Sequence, residues 1–328
     1  MSAEPNEAFG VVAIGRNEGE RLKQCLRSTS GAAQTIYVDS GSSDGSVQWA
    51  RQQKVAVVEL DLGIPFTAAR ARNAGFRRLR ELAPYLKYVQ FVDGDCELNA
   101  TWPPVATSFL DANDGVCAVF GRRRERYPGR SIYNRICDDE WDVPVGEASA
   151  CGGDVMIRVK ALESVGGYRD DLIAGEEPEL CVRLRAAGWK IWRLDHEMTL
   201  HDAAILHFNQ WWRRQVRCGY AFAQGAYLHG REPERHWVWE SRRAALWGVG
   251  FPILFLDALI VLGWWGCLLL LVYPLQIVRR MTKLSGSRRA RVQFACFEQL
   301  ARFAEALGLL RFMRDRLLGW RGRLVEYK

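Results

Sequence analysis

The stretch Val89–Leu98 (VQFVDGDCEL) is the part of the chain on which the fold prediction depends. Apolar residues from Val89 to Val92 predict a buried strand, and the strand ends at Asp93-Gly94-Asp95. Carboxylates are costly to bury unless they are paired or bind a metal. Two hard oxygen ligands at this spacing suit Mg²⁺ or Mn²⁺, ions that proteins commonly share with substrate phosphates. The same residues are also typical of a polar β-turn, so the rest of the chain has to decide.

Strands and helices alternate on the N-terminal side of this stretch. Short apolar runs predict strands, and segments with apolar residues at helical spacing predict helices between them. This alternation indicates right-handed βαβ units and a parallel sheet. The predicted strands are Phe9–Ile14, Thr35–Val38 and Val55–Leu60, and the predicted helices are Glu20–Ser28, Ser46–Gln53 and Phe66–Leu82.

Three of the predicted strands end in polar loops, which follow Ile14, Val38 and Val92. Ligands of parallel sheets bind at the carboxyl ends of the strands. Any one loop fits ordinary turn chemistry, but three at the same edge indicate a nucleotide pocket. The chain has neither G-x-G-x-x-G nor G-x-x-x-x-G-K-[ST], which disfavours a dinucleotide cofactor and P-loop chemistry.

The next hundred residues hold further candidate groups. A strand predicted at Val116–Phe120 is followed by the charged run Gly121–Arg126, which is a solvated strand end or a contact for an anion. The paired glycines before Asp154 fit either a tight turn or a close approach to a ligand. A predicted helix begins at Glu176 and has three glutamates in its first four residues. Acids there ordinarily interact with the helix dipole, but with three present, one is left available as a catalytic base. The strand predicted at Trp189–Leu194 leads to His201.

Composition and charge bound the class of protein. The chain has 328 residues, of which 48% are hydrophobic and 25% charged, as expected of a packed core. Nine cysteines without a C-x-x-C pair favour a reducing compartment, and Met1–Gly10 lacks the pattern of a signal peptide. From Arg279 to Lys328 there are 13 Lys or Arg and 4 Asp or Glu. This basic tail favours an anionic membrane surface, and no nucleic-acid motif accompanies it.

The segment Ala244–Val278 contains one charged residue, Asp257, in 35 residues. It is long for one membrane span of about 20 residues and short for two. Arginines flank both ends, which favours both ends being cytoplasmic. We expect a helical hairpin, as two short spans or a re-entrant wedge, and a buried helical pair is the alternative. Residues 290–320 then fit a basic amphipathic helix at a membrane interface or a helix packed on a core.

The ordered motifs resemble the family-2 glycosyltransferases with a GT-A type fold, over about Phe9 to Ala221. The resemblance implies an α/β fold, with a nucleotide-binding sheet of mostly parallel strands and helices on both faces. We expect a catalytic domain over residues 1–225 and an α-helical, membrane-associated region over 226–328. The matching segments are VVAIGRNEGERL, YVDSGSSDGS, ARARNAG, FVDGDCEL, ACGGDVMIR, GEEPELCVRLRAAG and LHDA.

The resemblance also assigns roles to individual residues. Asp95 and His201 match the family's metal ligands, and Glu177 matches the acid that acts as catalytic base. The chain has Glu-Glu where the family has Glu-Asp, which leaves Glu176 as the alternative base. The positions that match the family's nucleotide-sugar-binding residues are Asn17, Glu18, Asp39, Arg72, Asn73, Asp93, Gly94, Asp95 and Gly153.

The resulting hypothesis is an inverting, Mn²⁺- or Mg²⁺-dependent glycosyltransferase on the cytoplasmic face of the cell membrane. One base and no covalent nucleophile predict a single displacement, hence inversion. The expected donor is a nucleoside diphosphate sugar, with UDP favoured, and the expected acceptor is a saccharide or a lipid-linked saccharide for a surface polysaccharide or glycolipid. A nucleotidyltransferase that releases pyrophosphate and a non-catalytic membrane scaffold with the same fold are the alternatives.

Overall fold

The structure is a computed structural model that describes residues 6–320. Residues 1–5 and 321–328 lie outside the described residues. They include half of Met1–Gly10, which lacks a signal-peptide pattern, and the last eight residues of the basic tail. The chain forms two compact units, Met1–Leu206 and His207–Lys328. The predicted domain boundary at residue 225 falls inside a helix that belongs to the second unit, Phe208–His229.

One mixed sheet organises the first unit. Within residues 6–320 its order is β3-β2-β1-β4-β8-β6-β9-β5, and β7 pairs with β9. The half from β3 to β4 is parallel, as predicted, and antiparallel pairs begin where β8 joins β4. The strands are β1 (Asn6–Gly15), β2 (Ala32–Asp39), β3 (Ala56–Glu59), β4 (Tyr88–Asp93), β5 (Cys96–Leu98), β6 (Val116–Glu125), β7 (Gly146–Ala148), β8 (Val155–Arg158) and β9 (Lys190–His201).

Helices cover both faces of this sheet. Val11, Val12, Ile36 and Phe91 of the central strands are fully buried beneath them, as near-continuous apolar strands of a covered sheet should be. The helices of the first unit are α1 (Glu20–Ser28), α2 (Ser46–Gln52), α3 (Ala68–Leu82), α4 (Trp102–Ala112), α5 (Ile132–Glu140), α6 (Val159–Ser164) and α7 (Glu176–Ala186).

The register of the parallel strands brings the predicted polar loops together. At the end of β1, Gly15 pairs with Asp39 of β2, and Ile14 pairs with Asp93 of β4. The polar residues that follow the three strands therefore share one edge of the sheet. The prediction of a common edge is confirmed.

Two strands are longer than the hydrophobic pattern indicated. The predicted end of β6 at Phe120 is wrong, because the strand continues through the charged run to Glu125. Likewise β9 continues beyond Leu194 to His201. The two strands pair with each other in parallel over this extension, so backbone hydrogen bonding maintains both strands where the apolar pattern has stopped.

The second unit is helical in its described residues. It contains α8 (Phe208–His229), α9 (Val238–Ala245), a π-helical turn (Leu246–Gly250), α10 (Phe251–Leu262), a 3₁₀ helix (Gly263–Leu271), α11 (Val272–Met281) and α12 (Arg288–Leu317). The backbones of α8 and α12 meet at two glycines. A Cβ on Gly219 would lie 2.0 Å from the Glu305 carbonyl oxygen, and one on Gly308 would lie 2.0 Å from that of Val216.

Candidate active site

The turn Asp93-Gly94-Asp95 leaves β4 directly beside the end of β1. The Gly94 N–H donates to the Ile14 carbonyl oxygen at 2.7 Å. A Cβ on Gly94 would lie 3.0 Å from that same oxygen, so glycine permits the close approach. The turn is therefore held by backbone contacts, which leaves the side chains of Asp93 and Asp95 available for other partners.

Strand pairing places His201 beside Asp95. Cys96 of β5 is the register partner of His201 at the end of β9, and Asp95 precedes it. The Asp95 Oδ2 and the His201 Nε2 are 3.3 Å apart, and both side chains are buried. Donor atoms of Asp95, Cys96 and His201 all lie within 4.8 Å of one another. The sequence put these groups about a hundred residues apart, and the sheet brings them into contact.

The chemistry of these groups fits a divalent cation. Burial and the nearby Arg123 guanidinium lower the pKa of His201, which favours the neutral imidazole that binds metals. Burial raises the pKa of the Cys96 thiol well above its ordinary value, so Cys96 remains a neutral thiol. Asp95 and His201 could therefore serve as protein ligands of such a cation, and the remaining positions of an octahedral ion would be left for phosphate oxygens and water.

Glu125 lies behind His201, because the last residue of β6 is also in register with His201. Its Oε2 lies 3.6 Å from the His201 Nδ1, and its side chain is fully buried. Glu125 Oε2 accepts from the Ala203 N–H at 2.9 Å, and Oε1 accepts from the Tyr127 N–H and the Asn134 Nδ2 at 3.0 Å. Burial opposes ionisation, but these donors and His201 hold the pKa of Glu125 below its ordinary value.

Arg72 of α3 joins the turn after β4 to the first residues of α7. Its Nη2 lies 2.9 Å from Asp93 Oδ1 and 2.8 Å from Glu177 Oε1. Its Nη1 donates to Glu176 Oε1 at 2.9 Å. The Arg72 side chain is 3% exposed, so one buried guanidinium offsets part of the charge of three carboxylates. The sequence pattern ARARNAG did not reveal that Arg72 is buried and paired with several carboxylates.

The two glutamates at the start of α7 differ in environment. The Glu176 side chain is 4% exposed and that of Glu177 is 13% exposed. Burial raises the pKa of Glu177 to about 7, the Arg72 charge opposes this rise, and the Glu176 and Asp93 charges add to it. A carboxylate that titrates near neutrality and reaches solvent has the properties of a general base.

The loops after β1 and β2 are bonded to each other. The Asn17 N–H donates to Ser42 Oγ at 2.9 Å, and Asn17 Oδ1 accepts from the Ser43 N–H at 2.8 Å. Asp39 Oδ2 accepts from the Gly41 and Ser42 N–H groups, both at 2.8 Å. Glu18 pairs with Arg21 at 2.6 Å. Asn17 and Asp39 thus shape a single concave edge at the end of β1.

Comparison with known proteins identifies the class of this site. Residues 11–163 match the family model described as Glycosyl transferase family 2. This segment therefore forms a domain of that family. The chain is also 24% identical over 217 residues to the glycosyltransferase AglE of Haloferax volcanii, an alignment that covers 62% of this chain and 69% of AglE. It further resembles the mannosyltransferase PcManGT from Pyrobaculum calidifontis, solved with GDP-Man and Mn²⁺.

The likeness to PcManGT is one of fold. The two structures superpose with a TM-score of 0.60 at 17% identity, over 94% of this chain and 88% of PcManGT. The GT-A type fold expected of this transferase is therefore confirmed. Its glycosyltransferase activity is supported by the family match and by the likeness to AglE.

The structure brings several of the predicted site residues of the transferase into direct contact. Asp95 contacts His201, and Arg72 contacts Asp93, Glu176 and Glu177. A Cβ on Gly153 would lie 2.6 Å from Arg72 Nη2, so this glycine makes room for the guanidinium. Asn73 bonds instead to the backbone of Tyr168 and to Asp170, at 2.7–2.9 Å. Its predicted contact with the nucleotide stays a prediction.

Four residues that lie close to the predicted site were not assigned to it from sequence: Arg123, Glu125, Trp141 and Asp154. Arg123 and Glu125 belong to the charged run Gly121–Arg126, which the sequence left as a solvated strand end or an anion contact. Arg123 lies 3.3 Å from Asp93 and 3.5 Å from Asp154, and its guanidinium covers the Trp141 ring at 4.9 Å. Asp154 accepts from the Asp93 N–H at 3.0 Å and from Thr199 Oγ1 at 2.7 Å. Arg123 and Glu125 share one face of β6, and alternation along a strand is the signal that would have separated them from Arg122 and Arg124.

Proposed function

We propose that this transferase is metal-dependent and inverts the anomeric configuration of its donor, a nucleoside diphosphate sugar, when it glycosylates a hydroxyl acceptor. The observation that carries the proposal is Arg72, whose guanidinium contacts both Asp93 of the metal-side turn and Glu177 at the start of α7. Asp93 on the proposed donor side and Glu177 on the proposed acceptor side therefore contact the same guanidinium group. Such proximity is what a direct displacement requires.

The donor is proposed to lie along the concave edge at the ends of β1, β2 and β4. Asn17, Glu18 and Asp39 would face the nucleoside there, and Asp93 would lie near the ribose. Asp95 and His201 would hold Mn²⁺ or Mg²⁺. A bound divalent cation neutralises the charge that develops on the leaving diphosphate.

Glu177 is proposed as the base that takes the proton from the acceptor hydroxyl. It is more exposed than Glu176, and its pKa of about 7 lets it accept a proton near neutral pH. The sugar carbon passes through an oxocarbenium-like state, as in glycoside hydrolysis. A single base with no covalent nucleophile gives one displacement, so an α-linked donor would yield a β-linked product.

The test is a panel of UDP-, GDP- and dTDP-sugars with Mn²⁺, Mg²⁺ or a chelator. GDP-mannose is included because the structurally similar PcManGT was solved with it. We expect nucleoside diphosphate release from one donor, loss of that release in Asp95→Ala, and retention in Asp114→Ala, whose carboxylate is 95% exposed. Release of pyrophosphate in a parallel reaction with nucleoside triphosphates and sugar 1-phosphates would mean nucleotidyl transfer, and metal-dependent binding without turnover would mean a scaffold.

A membrane surface is proposed as the second partner. Val238–Met281 is long and apolar enough to cross a membrane by length and composition, and arginines precede and follow its apolar part. Basic flanks favour the cytoplasmic side, so we place the chain at the cytoplasmic face of the cell membrane. A lipid-linked saccharide or growing surface polysaccharide would then be the acceptor, and transfer of labelled sugar into solvent-extracted membrane lipid would test the lipid-linked case.

A further inference from the structure

The apolar segment of the second unit turns back on itself. The chain reverses at Gly263, whose φ of +59° is a conformation that side chains rarely permit. Phe251 and Tyr273 lie edge to face at 5.0 Å, and Tyr273 Oη donates to the Trp247 carbonyl oxygen at 3.2 Å. A Cβ on Gly266 would lie 2.7 Å from the backbone of Ala258. We call α10 with the following 3₁₀ helix the apolar hairpin, residues 251–271.

The two arms of the apolar hairpin have equal lengths. The twelve residues of α10 rise by about 18 Å at 1.5 Å per residue. The nine residues of the 3₁₀ helix also rise by about 18 Å, at 2.0 Å per residue. The hydrocarbon core of a bilayer is about 30 Å thick, or about 15 Å per leaflet. The helix is continuous from the π-helical turn into α10, but that turn packs against α12, where a Cβ on Gly248 would lie 2.6 Å from the Arg302 carbonyl oxygen. The part of each arm beyond this contact is thus long enough for one leaflet and too short for two.

Large apolar side chains are exposed on both arms. Among residues 207–320 none covers Ile260 and Val261, which are 82% and 78% exposed. A helix that is apolar on all sides belongs in a membrane or a protein interior, and only 6% of the most apolar window is buried. The other exposed apolar residues of the arms are Ile253, Leu254, Leu256, Leu262, Trp264, Trp265, Leu268, Leu270 and Leu271.

Charged and aromatic groups gather at the base of the apolar hairpin. Arg243 pairs with Glu305 at 3.2 Å, and the Arg302 guanidinium lies 5.8 Å over the Trp247 ring. Basic side chains near both ends of the segment are exposed, and aromatic and basic residues are typical of the membrane–water interface. These exposed basic residues are Arg242, Arg279, Lys283, Arg288 and Arg289.

We propose that the apolar hairpin inserts into the hydrocarbon of one leaflet of an anionic membrane and does not cross to the other side. The proposal rests on the membrane association in the proposed function and assigns its depth. The arm length sets the depth, and the basic residues at the base complement anionic headgroups. The turn at Gly263 then lies near the bilayer midplane, together with Trp264 and Trp265, whose rings stack at 3.9 Å.

Asp257 limits how strongly the apolar hairpin binds. It is the single charge between Ala244 and Val278, and its side chain is exposed halfway along α10. A carboxylate inside hydrocarbon is unfavourable, most of all at the midplane. Insertion into one leaflet leaves Asp257 about 9 Å from the base of α10. The chain therefore binds the membrane more weakly than its apolar content alone would give.

The native Cys267 in the 3₁₀ helix reports the position of the apolar hairpin. Cys267 is exposed, whereas the other described cysteines are buried or partly buried. The full chain is added to sealed vesicles of phosphatidylcholine and phosphatidylglycerol and treated with a membrane-impermeant maleimide, applied outside or trapped inside. Cys267→Ser gives the background from Cys218 and Cys296.

We expect Cys267 to escape labelling from both sides and to react once detergent dissolves the vesicles. Labelling by the trapped reagent would mean that the apolar hairpin crosses the bilayer. Labelling from outside would mean that it stays in water, and protection without any vesicles would mean that a second copy covers it. Each of these three results overturns the proposal. The readout needs no substrate, so it is separate from the donor panel that tests the proposed function.

Three variants test the energetics by vesicle flotation. Ile260→Asp with Val261→Asp should lose vesicle binding, while Tyr85→Asp, which changes a 64% exposed residue of the first unit, should retain it. Asp257→Leu should bind roughly tenfold more tightly or better, because it removes a charge from hydrocarbon. Unchanged partition of Asp257→Leu would overturn the insertion, since Asp257 would then remain in water.

Discussion

Arg72 is the residue that gives the site its electrostatic character. It is buried among Asp93, Glu176 and Glu177, at 2.8–2.9 Å from each. The pKa of Glu177 is raised to about 7, chiefly by burial and also by the charges of Glu176 and Asp93, while the Arg72 guanidinium opposes this rise. Arg72 thus anchors the site and limits the rise, which leaves Glu177 titrating near neutral pH.

This arrangement predicts a pH dependence. Glu177 must be ionised to accept a proton, so turnover should fall as the pH drops below about 7 and level off above it. Glu177→Gln should keep donor binding and lose turnover by about 10²- to 10⁴-fold. The measurements are kcat against pH and calorimetric titration with donor and Mn²⁺. If Glu176→Gln is inactive and Glu177→Gln is not, the base is Glu176.

Glu125 should govern metal affinity without touching the metal. It faces His201 Nδ1 at 3.6 Å, and a carboxylate behind a ligating histidine selects the tautomer whose Nε2 is free for the ion. Both Glu125 oxygens accept N–H groups, so an amide would oppose a donor in either orientation. We expect Glu125→Gln to weaken Mn²⁺ binding by about 10- to 100-fold in spin-resonance titrations.

The control for Glu125→Gln is Glu97→Gln on β5, the strand that pairs with the His201 end of β9. The Glu97 side chain is 42% exposed and pairs with Arg126, so its loss should leave Mn²⁺ affinity unchanged. Thermal unfolding of both variants separates an affinity change from a loss of fold. A folded Glu125→Gln with wild-type affinity would contradict the positioning role.

The elements that sequence predicted best are those whose side chains alone determine them. Helix α1 has the predicted bounds, and β1, β2 and β4 were found because their apolar runs are buried on both faces. Sequence reasoning failed for β6 and β9, because the register of each with the other extends both strands into charged residues. Glu125 was missed for the same reason, since its role depends on a pairing with His201 that no local pattern encodes.

The crossing of α8 and α12 depends on two glycines. A Cβ on Gly308 would lie 2.0 Å from the Val216 carbonyl oxygen and 2.6 Å from the Tyr220 nitrogen. We expect Gly308→Ala to destabilise the chain by about 1–3 kcal/mol or more, because backbone atoms have to separate. Gly250→Ala, whose Cβ would meet only ordinary contacts at 3.7 Å or more, is the control. The measurement is the midpoint of unfolding in urea, followed by circular dichroism. Equal midpoints for the two variants would refute the close packing.

The whole chain combines two units for which different ligands are proposed. The large apolar core described for the first unit extends from Phe9 to Met198, and the proposed donor and metal site lies at one edge of that unit's sheet. The apolar hairpin belongs to the second unit. Sequence composition could indicate this division, since the apolar and basic residues concentrate after residue 240. Composition could not give the depth of insertion, because that follows from where the chain reverses at Gly263.

Hydrogen exchange on the full chain should therefore show two separate responses. A bound ligand stabilises the state that binds it, so donor with Mn²⁺ should slow exchange in β4, β5, the end of β9 and the start of α7. Anionic vesicles should slow exchange in the apolar hairpin instead. Asp95→Ala should abolish the first response and keep the second, and Ile260→Asp with Val261→Asp should do the reverse. If Asp95→Ala also abolished protection of residues 251–271, membrane binding would depend on the donor site, and the two functions would not be separable.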